Sequence, residues 1–222
     1  VLLARTKAKD DCSKKTDGLS AFIIDLKKAV GNGLTIKPID TMINHHSCEL
    51  FLDDLAVSSE NLLGDENDGF KVVLDAMNAE RILIASECIG DARYFIKKAT
   101  DYASNRIVFD RPIGANQGVS FPLARAYANM VAAKLLVEKA ATLFDANEHC
   151  GAEANMCKLL ASEVSWFAGD TAMQTFGGFA FSKEYHIERK FRETRLYQIA
   201  PVSTNLILSY IAERELGLPR SF

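Results

Sequence analysis

From Phe70 onward the chain keeps a helical pattern with few interruptions. Apolar residues recur every three or four positions over residues 70–104, 121–147, 152–176, 185–197 and 204–216. The connections between these segments are short, and long helices joined by short loops bury their apolar stripes by lying antiparallel, so a bundle is expected. Residues 1–60 have a different character. Short runs with β propensity, 1–5, 19–26, 34–39 and 48–52, alternate with turn-rich stretches such as Thr16-Asp17-Gly18 and Gly31-Asn32-Gly33. The expected fold class is therefore α+β: part of an antiparallel β unit over residues 1–60, then an antiparallel helical bundle over 61–222. No internal repeat or low-complexity tract interrupts this division.

The bulk properties narrow the partners. With 48% hydrophobic and 25% charged residues, the 222-residue chain can bury a substantial core. A net charge of -3 gives no global positive field for nucleic acid or an anionic membrane. No apolar run is long enough to cross a bilayer. Five cysteines, Cys12, Cys48, Cys88, Cys150 and Cys157, are odd in number and lack C-x-x-C spacing, which points to a reducing compartment and away from a zinc site. His45-His46 is read as structural or surface, not as a metal ligand pair. The opening Val1-Leu2-Leu3-Ala4-Arg5 has strand character and no targeting pattern, so the chain is expected to start inside a longer sequence.

Two breaks in the helical half carry chemistry. The first, Arg106 through Gln117, joins two helices and contains an Arg, an aromatic, a Pro and a Gly. The second, Gln174-Thr175-Phe176-Gly177-Gly178, ends a long helix on paired glycines, where backbone turns or lies close to something. An interhelical loop and a helix C-cap are the ordinary alternatives.

Together with Asn61-Leu62-Leu63-Gly64, Gly69-Phe70, Arg192-Glu193 and Leu196-Tyr197-Gln198-Ile199, these segments resemble, in order and spacing, the landmarks of the acyl-CoA dehydrogenase family. The resemblance covers nearly the whole chain. It implies that residues 1–60 are the C-terminal portion of a middle β domain and 61–222 an up-down four-helix bundle, with FAD as cofactor, an acyl-CoA thioester as substrate, an electron-transfer flavoprotein or other electron acceptor, and a homo-oligomer, dimer or tetramer. It also implies a soluble enzyme of the bacterial cytoplasm or the mitochondrial matrix. By the same resemblance Arg106 contacts the FAD diphosphate, with Phe109 and Gln117 in the same loop. An Arg fork suits phosphate oxygens. Gln174, Gly177 and Gly178 correspond to the segment that reaches the FAD of a neighbouring subunit. Ser203 and Asn205 fall at flavin-contacting positions, with helix N-capping as an equal alternative.

The catalytic base is where the chain departs from the commoner family pattern. After Tyr197-Gln198-Ile199, the position that usually holds the base Glu is Pro201, which also lacks the backbone N–H used there to polarise the thioester carbonyl. Isovaleryl-type and long-chain-type members carry the base on the first bundle helix instead. Met77-Asn78-Ala79-Glu80-Arg81 matches that arrangement, nominating Glu80 as base with Met77 and Arg81 beside the substrate. Ala76, Met77, Leu83 and Ile84 surround Glu80 at helical spacing, so partial desolvation of its carboxylate is expected. Glu87 is the rival. The alternatives in function are an acyl-CoA oxidase or flavin monooxygenase on the same fold, and a non-catalytic helical interaction module. A carboxylate-bridged metal bundle is disfavoured, because the helices lack Glu-x-x-His pairs. Ligand affinity requires many contacts made together, so these 222 residues alone are expected to hold FAD weakly or not at all. Flavin absorbance that co-elutes with the chain in gel filtration contradicts that expectation.

Overall fold

A computed structural model describes residues 1–43 and 46–220, arranged as two compact units, Val1–Met77 and Asn78–Phe222. In the first unit, β1 (Leu2–Arg5) pairs antiparallel with β2 (Leu19–Phe22). The β character expected through residue 26 stops at Phe22, because Asp25 turns the chain into a short helix, α1 (Leu26–Ala29), by accepting from the N–H groups of Lys27 and Lys28 at 3.1 and 3.4 Å. The Gly31-Asn32-Gly33 turn leads into β3 (Leu34–Ile39), which pairs with β4 (Ser47–Leu52) as a separate two-stranded sheet. His45 lies outside the described residues.

A short strand, β5 (Leu62–Leu63), adds to the other side of β2, giving the order β1-β2-β5. The buried hydroxyl of Ser20 fixes this junction: it lies 2.6 Å from the Thr6 hydroxyl and accepts from the Asn67 N–H at 2.7 Å. Helix α2 (Gly69–Asn105) starts hard against β2, where a Cβ on Gly69 would stand 2.3 Å from the Ala21 nitrogen. The strand at 62–63 and this close approach put the chain up to Met77 into the β-containing unit, beyond the division expected near residue 60.

The second unit contains the rest of α2, a small hairpin of β6 (Ile107–Val108) and β7 (Arg111–Pro112), then α3 (Gln117–Asp145), α4 (Gly151–Phe176), α5 (Ile187–Thr194) and α6 (Thr204–Tyr210). The last continues as a π-helical segment over Ile211–Glu215. The three long helices share one core. Its seam is built on small residues at a seven-residue period, which returns to the same face of a helix after two turns. Ala85, Ala92 and Ala99 serve on α2, Ala126, Ala133 and Ala140 on α3, and Ala154, Ala161 and Ala168 on α4, all at 2% exposure or less. Side chains this small let helix backbones approach closely, and larger residues, Phe95, Met130, Val137 and Val164, fill the layers between them. The segments expected at 185–197 and 204–216 form the shorter helices α5 and α6: His186, in a left-handed conformation, stands just before α5, and a 3-10 turn at Arg195–Gln198 separates α5 from α6.

Overfilling the seam is expected to be costly. Ala133→Leu should destabilise the chain by about 1–3 kcal/mol in urea unfolding, while Ala128→Leu, exposed on the same helix, should change stability by less than about 0.5 kcal/mol.

Candidate functional site

The two sequence breaks meet in the second unit. Arg106 follows directly on α2, and its backbone is held on both sides: its N–H donates to Tyr102 O, and its carbonyl accepts from the Ile113 N–H, each at 2.9 Å. The hairpin tip, Phe109 and Asp110, has φ of 50° and 60°, so both residues adopt the left-handed turn that suits a tight hairpin, and Phe109 stands 93% exposed. Across from it, α4 ends at Phe176 and the chain turns at Gly177, with φ +59°. No atom lies within 4 Å of where a Cβ would stand on Gly177 or Gly178, so backbone is open to a ligand there.

An aromatic clasp joins the two segments. Phe176 stacks on Tyr102 with ring centroids 4.2 Å apart, and Tyr185 meets both rings edge-on at 5.4 and 6.4 Å. Tyr102 lies one helical turn before Arg106, so the clasp brings Arg106 alongside Gly177 and Gly178. They line a pocket of about 520 Å³ with Val108, Ile113 and Phe179. A neighbouring pocket of about 580 Å³ lies over the start of α3 and is lined by Gly118, Arg125, Asp170 and Gln174, with Thr175 common to both. Gln117 is exposed as the first residue of α3. Arg106 is exposed and makes no ion pair among the described residues, which leaves its guanidinium available to an anion.

The other nominated residues lie outside these pockets. Glu80 is exposed, and the apolar neighbours expected to desolvate it do not: Ala76 is exposed and Leu83 is 68% exposed. The physical reason is that α2 turns Ile82, Ala85, Cys88 and Ile89 into the core, which leaves Glu80 and Leu83 on the opposite side. Met77 is half-buried. Arg81 donates to Asn78 Oδ1 at 2.9 Å, and its buried Nε has no partner among the described residues. Burial lowers the basicity of its guanidinium, opposed in part by the neighbouring Glu80 carboxylate. The rival Glu87 receives a hydrogen bond from the Tyr197 hydroxyl. Ser203 is the N-cap of α6, its Oγ accepting from the Leu206 N–H at 3.4 Å, while Asn205 is exposed in the first turn.

Sequence reasoning missed Lys158. Fully buried on α4, it donates from Nζ to the Val202 carbonyl at 2.8 Å. The signal was present: its helical neighbours Ala154, Asn155, Ala161 and Ser162 are small, and all are buried, so the lysine lies on the inward face. Among the described residues no group of His, Cys, Asp and Glu is arranged to hold a metal, and no helix is long and apolar enough to cross a membrane.

Residues 67–216 match the model of the acyl-CoA dehydrogenase C-terminal domain. The chain belongs to the acyl-CoA dehydrogenase family. It is 39% identical over 176 residues to acyl-CoA dehydrogenase FadE12 of Mycobacterium tuberculosis, covering 78% of this chain and 45% of that protein. Butyryl-CoA dehydrogenase from Megasphaera elsdenii superposes with a TM-score of 0.83 at 32% identity, covering 89% of this chain and 52% of that one. PigA, solved with FAD and proline, superposes with a TM-score of 0.88 at 26% identity, covering 95% of this chain and 55% of that one. The chain thus spans about half the length of the relatives it matches. Its α+β architecture with a helical C-terminal domain is that of the family.

The clasp is expected to carry much of the local stability. Phe176→Ala should cost about 3–5 kcal/mol in urea unfolding, against less than about 1 kcal/mol for Phe179→Ala, whose ring is 48% exposed.

Proposed function

We propose that this chain is the FAD-contacting C-terminal part of an enzyme that dehydrogenates acyl-CoA thioesters between the α and β carbons. The observation that supports it most is the single pocket lined by Arg106 and the open backbone of Gly177 and Gly178. A guanidinium without an ion pair among the described residues, set beside open backbone, suits a diphosphate. In this reading Arg106, Phe109 and Gln117 hold FAD, Gln174, Gly177 and Gly178 reach the FAD of a second subunit, and Ser203 and Asn205 contact it from α6. Self-association is part of the proposal. Phe121, Tyr127, Val131 and Leu135 on α3 expose apolar surface suited to it.

When bound, FAD supplies the two-electron acceptor for the β-hydrogen. The chain's own contribution is the base. Glu80 takes the α-proton, while the electron pair of that C–H bond forms the new double bond and the β-hydrogen leaves as hydride. Three features favour Glu80: Pro201 occupies the alternative position, Glu87 is engaged by Tyr197, and Arg81 follows Glu80 directly. The desolvation that tunes such a base must then come from bound substrate or from protein outside this chain, since Glu80 is exposed within it. A second reading, a flavin enzyme on the same fold with a different substrate such as a flavin monooxygenase or an acyl-CoA oxidase, draws on the likeness to PigA.

Glu80→Gln keeps the shape of the side chain and removes its proton affinity. In the enzyme that carries the upstream region, acyl-CoA should still bind while flavin reduction slows by at least about 10²- to 10⁴-fold in anaerobic rapid mixing. Reduction at the wild-type rate, with Glu87→Gln measured in parallel, transfers the role away from Glu80.

A further inference from the structure

A groove of about 810 Å³, larger than either pocket of the candidate site, lies between α2 and α3. One short connection joins these helices, so residues equally far from it lie opposite one another: Ser104 and Ser120 near the turn, Arg93 and Met130 at the far end. Between those ends the groove follows α2 for three helical turns, about 16 Å. Its floor is apolar and belongs to the core, with Ile96, Ala103, Leu123 and Met130 all at 9% exposure or less. Water lying on such a surface is displaced favourably by an apolar occupant.

The two ends of the groove differ. Near the connection it is shut by the 3-10 turn Ile113–Ala115, pressed so closely onto α2 that a Cβ on Gly114 would stand 3.1 Å from the Ala103 carbonyl oxygen. At the far end stands Arg93, exposed and without an ion pair or hydrogen bond among the described residues. The other charges on the rim, Lys97 and Asp101, neutralise each other at 2.5 Å, which leaves Arg93 as the uncompensated charge. A docked helix, about 10 Å across, needs a valley that is open at both ends. A slot that is apolar along its length, blind at one end and cationic at the other suits a single alkyl chain with one anionic head.

We infer that this groove binds a free fatty acid, its carboxylate paired with the Arg93 guanidinium and its alkyl chain laid along the α2–α3 seam as far as the turn at 113–115. An Arg fork meets a carboxylate through two parallel N–H···O bonds. An extended chain of about a dozen carbons spans about 16 Å at ordinary bond lengths and angles, which matches the slot. The occupant carries no CoA, so the site is separate from the thioester site proposed at Glu80. Its closing turn is tied to the cofactor loop, because the Ile113 N–H donates to the Arg106 carbonyl at 2.9 Å. The tail of the fatty acid thus ends against the segment that carries Arg106.

The test is calorimetric titration of the FAD-loaded enzyme, with its upstream region, using dodecanoate below its micellar concentration and dodecan-1-ol as the uncharged comparison. Dodecanoate should bind saturably, one molecule per chain. Arg93→Gln keeps a polar side chain and removes the charge, so it should weaken dodecanoate by about tenfold or more and leave the alcohol unchanged. Ala124 is exposed on the groove wall, and Ala124→Phe fills the slot. It should abolish binding of both ligands while the thermal midpoint of the unliganded enzyme holds. If Ala124→Phe does not fold, the comparison of acid with alcohol in Arg93→Gln carries the test. Dodecanoate bound as tightly by Arg93→Gln as by the unaltered enzyme overturns the inference. Undiminished binding by Ala124→Phe overturns it as well, by placing the ligand elsewhere, the proposed substrate site included. Absence of saturable binding to the unaltered enzyme overturns it too, and if Ala124→Phe then sediments as a smaller species, the groove is a contact between copies of the chain.

Discussion

Close packing of alanines at a seven-residue period underlies the rest of the helical unit. Where α2, α3 and α4 meet, each helix contributes buried alanines two turns apart, and short side chains bring the backbones near one another. Close backbones fix the helix ends as firmly as the helix centres, because a rigid helix transmits its position along its length. The loops that form the candidate site are short continuations of those ends. Arg106 follows α2 by one residue, Gln117 opens α3, and Gly177 follows α4 directly. Their placement is thus a consequence of core packing and not of loop chemistry.

The aromatic clasp converts that placement into a pocket. Stacking of Phe176 on Tyr102 closes the end of the bundle, and Tyr185 secures the chain as it returns from the glycine turn. The glycines remain outside this packing with nothing near them, which separates the part of the segment that holds the fold from the part left open for a ligand.

Charge in the interior is concentrated around α5. Lys190 lies 2.6 Å from Asp91 and 3.3 Å from Glu193, and Arg189 reaches Glu193 at 2.7 Å, so the buried carboxylates of α2 and α5 share cations. Partners distributed over both helices make burial of these charges tolerable, since breaking any one pair would leave another charge unsatisfied. Lys158 differs in having a peptide carbonyl for its partner. The contrast sets it apart from the lysines and arginines that serve to hold helices together.

The sequence by itself determined the elements whose cause is local. Helical periodicity located the long helices to within a few residues, β propensity located the main strand runs, and the ordered landmarks identified the family and nominated Arg106, Gly177 and Glu80 for function. It did not locate β5, β6 and β7, two-residue strands whose pairing depends on partners elsewhere in the chain. Nor did it foresee that Glu80 is exposed, because a helical neighbour such as Leu83 desolvates a carboxylate only if its face is turned inward, and the core chose the opposite face of α2. Lys158 meeting Val202, Tyr197 meeting Glu87 and Phe176 meeting Tyr102 are likewise decisions of the tertiary structure. Each joins residues far apart in the chain, and local propensity carries no information about which distant surface will cover a given side chain.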